Sequence, residues 1–355
     1  MTLLSILAPA LLALASVANA QCGSGSPTVV VNGKSGAYTA VKGSQQLYSG
    51  SDYLQAINTG LASVASGQRL TVLASGSIGA STISLNNGQT FEVCGTIDVG
   101  FNSGRGAIRA IDKTGVKIPY LTMTGTPYFG LQFSGVKDLT LGTINMNLKD
   151  GLGIRFDRDG KPNSNVVMGT ITVTGAGSHA VETWNIDGLT VTSVIAKDVG
   201  ECGLLIQNTR NAKVGLVDGT NVATGTGYAT LRFANQNGRY ADGSYPANVN
   251  IDKVVSRGGG RGIFCVSESG GAVIKNIDLS NNGNNAILIE NCYNVAIQGG
   301  KVNGGGEVRI SARSEFANTR DISLAIEVNS NTVRESPCGQ NMKFNIKGNA
   351  KLDIC

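Results

Sequence analysis

The sequence predicts an all-β protein: a right-handed parallel β-helix with a capping helix at its N-terminal end. Three observations carry this. Glycine makes up 49 of 355 residues, about double the usual share, yet lacks the third-residue period of collagen. From about residue 83 the chain is a succession of short β-branched runs broken by Gly, Asn and Asp. Those runs align as small–apolar–x–apolar–x units, starting at residues 130, 153, 180, 203, 228, 262, 286 and 307, so the period is about 24 residues. A second series of runs, such as Leu139-TLGTI and Ala212-KVGLV, follows each unit about ten residues later. No coil of that size buries its inner face alone, so neighbouring coils must stack into one core.

In chain order, residues 1–20 read as a leader. They are apolar and end in Ala18-Asn19-Ala20, small residues that suit cleavage before Gln21. The rest, 21–355, reads as one domain. In Asp52-YLQAINTGLASVAS the apolar residues Leu54, Ile57, Leu61 and Val64 follow one helix face, and Asp52 with Gln55 three residues on gives a start signal. This helix, about 52–66, is placed over the open end of the stack, where unpaired strand edges need protection. Coils run from about 70 to 335, and 336–355 is expected to cover the far end.

Composition narrows the chemistry. A single histidine, His179, excludes sites built from several imidazoles, and the seven cysteines contain no C-x-x-C pair. Their number fits an oxidising compartment; Cys338 with Cys355 is the first pairing expected, and Cys22 with Cys94 the second. An odd count leaves one thiol over. No later segment has the length of apolar sequence that a membrane span needs, and basic runs that grip nucleic acid are absent. The formal charge of +5 suits an anionic partner. The chain is therefore expected to be a secreted monomer, with neither a nucleic-acid nor a membrane partner.

Alternation along each unit assigns faces, since successive strand residues point to opposite sides. Equivalent outward residues on adjacent coils stand about 4.8 Å apart, forming columns that a long polymer can lie across. One column holds Gln132, Arg155 and Glu182; the neighbouring one holds Asp157, Trp184, Gln207 and Arg232. Immediately before the units come His179 and Arg261, so the polar residues of the central coils share one patch. His179 is the expected proton carrier, because its unperturbed pKa lies near neutrality, with Glu182 as acid or base beside it. Tyr228 is a second proton carrier, and Arg232 a cation for the substrate. Arg155, Asp157 and Glu182 could equally form solvated ion pairs between coils. The longest coil carries an insertion, Asn235-QNGRYADGSYPAN, read as a loop walling the binding face, where Tyr240 and Tyr245 would stack on sugars. Glu268 and Arg309 complete the set of substrate-binding candidates. The glycines 258–260 are read as a tight turn, and Asn281-NGNNAILIENCYN as turn chemistry and Asn ladders.

A leader, an N-terminal helix, coils of about 24 residues and Asn-rich turns together resemble the pectate lyase and polygalacturonase superfamily, over roughly residues 70–335. The resemblance implies a carbohydrate-active β-helix. The polygalacturonase motifs Asn-Thr-Asp, Asp-Asp, Gly-His-Gly and Arg-Ile-Lys do not occur; the nearest fragments are Ser178-His179-Ala180 and Val308-Arg309-Ile310. Pectate lyases bind calcium through clustered Asp residues, and this patch offers only Asp157 with Glu182, so no cofactor is expected and calcium has no motif behind it.

Two catalytic readings follow. A polysaccharide lyase acting on a uronic-acid polymer needs a base for the C5 proton and a cation against the adjacent carboxylate, which Arg155, Arg232 and Arg261 would supply. A glycoside hydrolase needs two carboxyl groups, for which Asp157 with Glu182, or Glu268 with Glu290, are the pairs. The third reading is a carbohydrate-binding solenoid without turnover.

Overall fold

The computed structural model describes residues 21–225 and 227–355. The leader read over 1–20 lies outside the described residues. Among the described residues, thirty strands and one helix build a parallel β-solenoid. Its two walls are a wide sheet of 18 strands and a narrow sheet of 12. Every neighbouring pair in the narrow sheet is parallel, beginning with Ile83–Ser84, passing through Val181–Trp184 and Leu204–Gln207, and ending with Lys351–Asp353.

Inward columns make the core. Leu131, Ile154, Val181, Leu204, Leu231, Ile263, Ile287 and Val308 stand in register on successive coils, all buried. Phe133 and Phe156 stack one coil apart with ring centroids 5.2 Å apart. Because each coil contributes the same kind of residue at the same place, burial is shared between neighbours.

One unit is aligned differently from the sequence reading. Leu205 pairs with Arg232, and Leu204 with Leu231, so the small position of that coil is Thr230 rather than Tyr228. The unit is therefore slipped by two residues. Thr230 fits because the wide sheet presents Gly219 opposite it: a Cβ there would come within 2.6 Å of the Thr230 side chain. Its hydroxyl bonds Ser256 at 2.7 Å inside the core. A slip of two keeps every residue on its face, so Arg232 stays outward but moves into the column of Arg155 and Glu182.

Helix α1, Tyr53–Ala62, stops short of the expected end. Asp52 caps it by accepting from the Gln55 N–H at 3.0 Å, as the start signal implies. Its buried face, including Ala56, Ile57 and Leu61, packs on the first strands. The buried Gln89 amide donates to the carbonyls of Leu61 and Val64 and so ties the end of the helix to the stack. Three antiparallel strands that the repeat pattern does not show, Val29–Lys34, Ala37–Lys42 and Gln45–Gly50, precede the helix. At the other end, 336–355 supplies the last coil of the stack. Lys343–Gly348 and Lys351–Asp353 extend both sheets as a further coil.

Disulfides join Cys22 to Cys94 and Cys338 to Cys355, the two pairs expected, and also Cys265 to Cys292. Cys202 is the thiol left over, and it is buried. Three disulfides are compatible with secretion. Among the described residues, no helix is long and apolar enough to cross a membrane.

The turns follow the predicted chemistry. Asn185, Asn208 and Asn235 occupy one corner on successive coils, all with positive φ, and the Asn208 amide donates to the Asn185 side chain at 2.6 Å. Gly259 has φ +70 and a Cβ there would lie 1.9 Å from the Val222 carbonyl, so a tight turn accounts for the glycine run.

Candidate functional site on the narrow sheet

The outward face of the narrow sheet carries a polar cluster over four central coils. Its centre is Glu182, on the strand Val181–Trp184. One carboxylate oxygen accepts from Trp184 Nε1 and Gln207 Nε2, both at 2.8 Å; the other accepts from Arg155. Arg155 Nε lies 3.6 Å from Asp157, which also accepts from the Gln132 amide at 3.1 Å. Arg155, Asp157, Glu182, Trp184 and Gln207 are thus one network, as their columns imply. The departure is burial. Glu182 points outward yet is only 6% exposed, because its partners' side chains lie over it. With N–H donors on both oxygens, it holds the network together rather than facing solvent.

A second cluster stands at the corner where chain enters the narrow sheet. Tyr128, Gly151, Ser178, Glu201 and Tyr228 all lie two positions before the small residue of their units, once the slip is taken into account. Glu201 accepts from Ser178 Oγ at 2.6 Å, and its carboxylate lies 3.1 Å from His179 Nε2. His179 Nδ1 in turn accepts the backbone N–H of Cys202 at 3.0 Å. These partners assign the neutral tautomer with its proton on Nε2. A second proton at Nδ1 would confront the Cys202 N–H. Burial pushes the His179 pKa down and the guanidiniums of Arg232 and Arg155 add to this, against the opposing pull of Glu182 and Glu201. Both ring nitrogens are taken, so the geometry makes His179 a group that positions Glu201.

Tyr228 sits edge-on to His179, with centroids 5.5 Å apart. Glu201, as hydrogen-bond partner and as a negative charge, raises the Tyr228 phenol above its usual value, while Arg232 pulls it down. Cys202 lies against this corner, and burial drives its thiol up to about 12, which removes it as a nucleophile.

The third cluster is basic. Arg232 is held between the rings of Tyr228 and Phe264, at 5.7 and 5.1 Å from their centroids. Its Nε is buried and has no hydrogen-bond partner. Arg261 lies over the same Phe264 ring at 4.9 Å, and its Nε donates to Asn285 at 3.2 Å. Neither guanidinium has a carboxylate partner among the described residues. Burial, and then the charge of Arg232, lower the Arg261 pKa. Beneath them is a small apolar cluster on the outer face, Cys202, Leu205, Ala229, Ala234, Phe264, Val266 and Leu288. Two uncompensated cations on an apolar floor attract an anion more strongly than they would in water.

Two predicted residues lie away from this surface, and a third on it is already paired. Tyr240 bonds Asn211 at 2.7 Å and stacks with Arg210, so the insertion packs at the opposite corner, where chain leaves for the wide sheet, and does not wall the columns. Glu268 sits in a turn with φ +56, its carbonyl accepting from Tyr245. Arg309 is in the Arg232 column but is paired with Glu307 at 3.3 Å. Of the alternative carboxylate pairs, Glu290 is engaged by Arg313 at 2.7 Å. A depression of about 520 Å³ under the insertion, lined by Tyr245, Arg320 and Lys343 among others, belongs to that other corner. Cys22, Glu92 and Cys94 converge within 4.8 Å, but the two sulfurs are joined to each other and offer no thiolate to a metal.

Glu201 and Ser178 escaped the sequence reading. The signal was present: Ser178 and Glu201 occupy equivalent positions on adjacent coils, one residue before His179 and Cys202.

No protein-family model matches the chain, and neither the curated proteins nor the solved structures yield a match. What the fold defines is a class, the parallel β-solenoids, and on such a scaffold function has to be argued from the site.

The neutral His179 makes a testable statement about stability. Its folded pKa is depressed while the unfolded value is about 6.5, so the unfolded chain gains a proton first as pH falls. Stability from this group is complete above about pH 6.5 and declines below it, by at most about 1.4 kcal/mol per pH unit. The charges facing the ring are Glu182, Glu201, Arg232 and Arg155. His179→Asn keeps an acceptor for Cys202 and removes the titration, so its Tm should fall less steeply between pH 7 and 5 than that of the parent. Parallel Tm profiles would show that His179 is not held neutral.

Proposed function

We propose that this protein is a polysaccharide lyase acting on a uronate-containing glycan by β-elimination. The observation that carries the reading is Arg232: a half-buried guanidinium, without a carboxylate partner, stacked directly on the phenol of Tyr228. β-Elimination needs that combination, a cation for the uronate carboxylate beside a group that moves protons.

In this scheme Arg232 and Arg261 take the carboxylate and neutralise the charge that develops as the C5 proton leaves. The phenolic proton of Tyr228 passes to Glu201, and the phenolate oxygen removes the C5 proton. The C–H electron pair becomes the C4=C5 double bond and the C4–O bond breaks. The departing oxygen receives the proton from Tyr228, and Glu201 returns the phenolic proton. Water is not consumed. His179 and Ser178 hold Glu201 in place.

The hydrolase reading has less support. Asp157 and Glu182 share one guanidinium and both accept hydrogen bonds, whereas hydrolysis requires one carboxyl to donate a proton. The binding-module reading is favoured by one observation: the single imidazole is already engaged at both nitrogens.

A panel of acidic polysaccharides read by two assays separates the three. A lyase yields new reducing ends and ultraviolet absorbance from the conjugated double bond in equal number. Reducing ends without absorbance would mean hydrolysis. Retention on a polymer with neither signal would leave a binding protein.

A further inference from the structure

A cleft of about 290 Å³ opens beside Ser178, one coil from Glu201. Its floor and wall are aromatic. Phe101 is 60% exposed and Tyr128 37%, large values for such side chains. Phe101 meets Tyr128 edge-on at 5.4 Å, and Tyr128 meets Phe129 at 4.5 Å, so the three rings form one continuous platform. Exposed apolar surface of this kind, kept together in a concavity, marks a binding site more often than chance.

The platform is continuous with the candidate site at two points. Ser178 lines the cleft and donates to Glu201. Arg155 lies 5.5 Å from the Phe129 centroid while it engages Glu182. Tyr128 and Tyr228 stand in the same column, four coils apart, which is about 19 Å at strand spacing. A glycan lying along the column would reach both.

The charges at the two ends differ. At the Tyr228 end stand Arg232 and Arg261, without carboxylate partners. Of the residues lining the cleft only Asp150 is charged, and it is negative. The nearest cation, Arg155, is already shared by Asp157 and Glu182. A uronate placed over the platform would put its carboxylate near Asp150 and against the negative faces of the rings. A neutral sugar would lay its C–H face on them with no such conflict.

We infer that Phe101 and Tyr128 form a stacking subsite for a neutral sugar, so that the substrate is a mixed glycan in which neutral residues accompany the uronate, rather than a uronate homopolymer. The inference rests on the lyase reading for the position of the uronate, but the subsite can be tested without turnover.

The experiment compares a uronate homopolymer with a polymer alternating uronate and neutral sugar, using the parent chain and the Phe101→Ala/Tyr128→Ala double variant. Both rings are exposed, so the variant should keep the parent's Tm. Expected is faster cleavage of the alternating polymer, with the double variant raising KM on it roughly tenfold and leaving kcat nearly unchanged. Affinity electrophoresis in gels containing each polymer gives the second readout. Retardation by the alternating polymer that the double variant loses supports the subsite even if no polymer is cleaved, in which case only the lyase reading fails. Equal or faster cleavage of the homopolymer, or a double variant indistinguishable from the parent in KM and retardation, would overturn the subsite while leaving the lyase reading in place. Neither cleavage nor retardation of any polymer would overturn both.

Discussion

Tyr228→Phe is expected to lower kcat on an acidic glycan by about 10²- to 10⁴-fold, the usual contribution of a positioned proton-transfer group. The change removes one oxygen atom. The ring remains, and with it the edge contact to His179 and the surface on which Arg232 stacks, so Tm and substrate retention should stay close to the parent's. The pH profile is a further check. Glu201 raises the phenol above its ordinary value of about 10, so the neutral phenol from which the scheme starts persists into alkaline solution. Parent kcat/KM should therefore hold level from neutral into mildly alkaline solution. A Tyr228→Phe variant within about threefold of the parent would remove Tyr228 from the chemistry. A bell centred near pH 6 would point back to an imidazole or carboxyl as the titrating group.

Glu182→Gln is expected to cost about 3–5 kcal/mol of stability, the range for breaking a buried ion pair by removing one partner. The carboxylate is nearly covered, and its loss leaves the Arg155 guanidinium facing a neutral amide. It also leaves Trp184 Nε1 and Gln207 Nε2 competing for a single acceptor oxygen. Replacing both charges, as in Glu182→Gln/Arg155→Met, should recover part of the loss, because the buried guanidinium is gone and the Asp157 carboxylate left behind is partly exposed and still accepts from Gln132. Denaturant titration of the four proteins measures the coupling. Purely additive effects would show that the pair contributes no more than a solvated surface bridge. This separates a structural Glu182 from the catalytic one that its column first suggested: folded Glu182→Gln should retain turnover.

The order of residues was enough to place the coils. Inward columns such as Leu131, Ile154, Val181 and Leu204 can be written from spacing alone, because alternation has a period of two and stacking repeats it coil after coil. The same arithmetic put Arg155 and Glu182 side by side. It failed at the coil of Thr230. Thr230 takes the place of a Gly or Ala because Gly219, on the opposite sheet, yields the space, and no local pattern reports a compensation between distant residues. That slip hid the column in which Tyr228 follows Glu201 and Ser178.

Three things were settled by the chain itself: the parallel solenoid, the start of its helix at Asp52, and the disulfides at its two ends. The first two rest on periodicity and on short-range signals, which a sequence states directly; the disulfides follow from where the cysteines fall along the chain. The tertiary structure decided which polar groups are already occupied. Only packing shows that His179 is held between the Cys202 N–H and Glu201, that Glu182 is covered by its partners, and that Arg232 and Arg261 stand on this face without a carboxylate partner. A hydrogen bond depends on distances of a few tenths of an ångström between side chains of different coils. Spacing along the chain does not encode those distances, because they emerge when the coils stack.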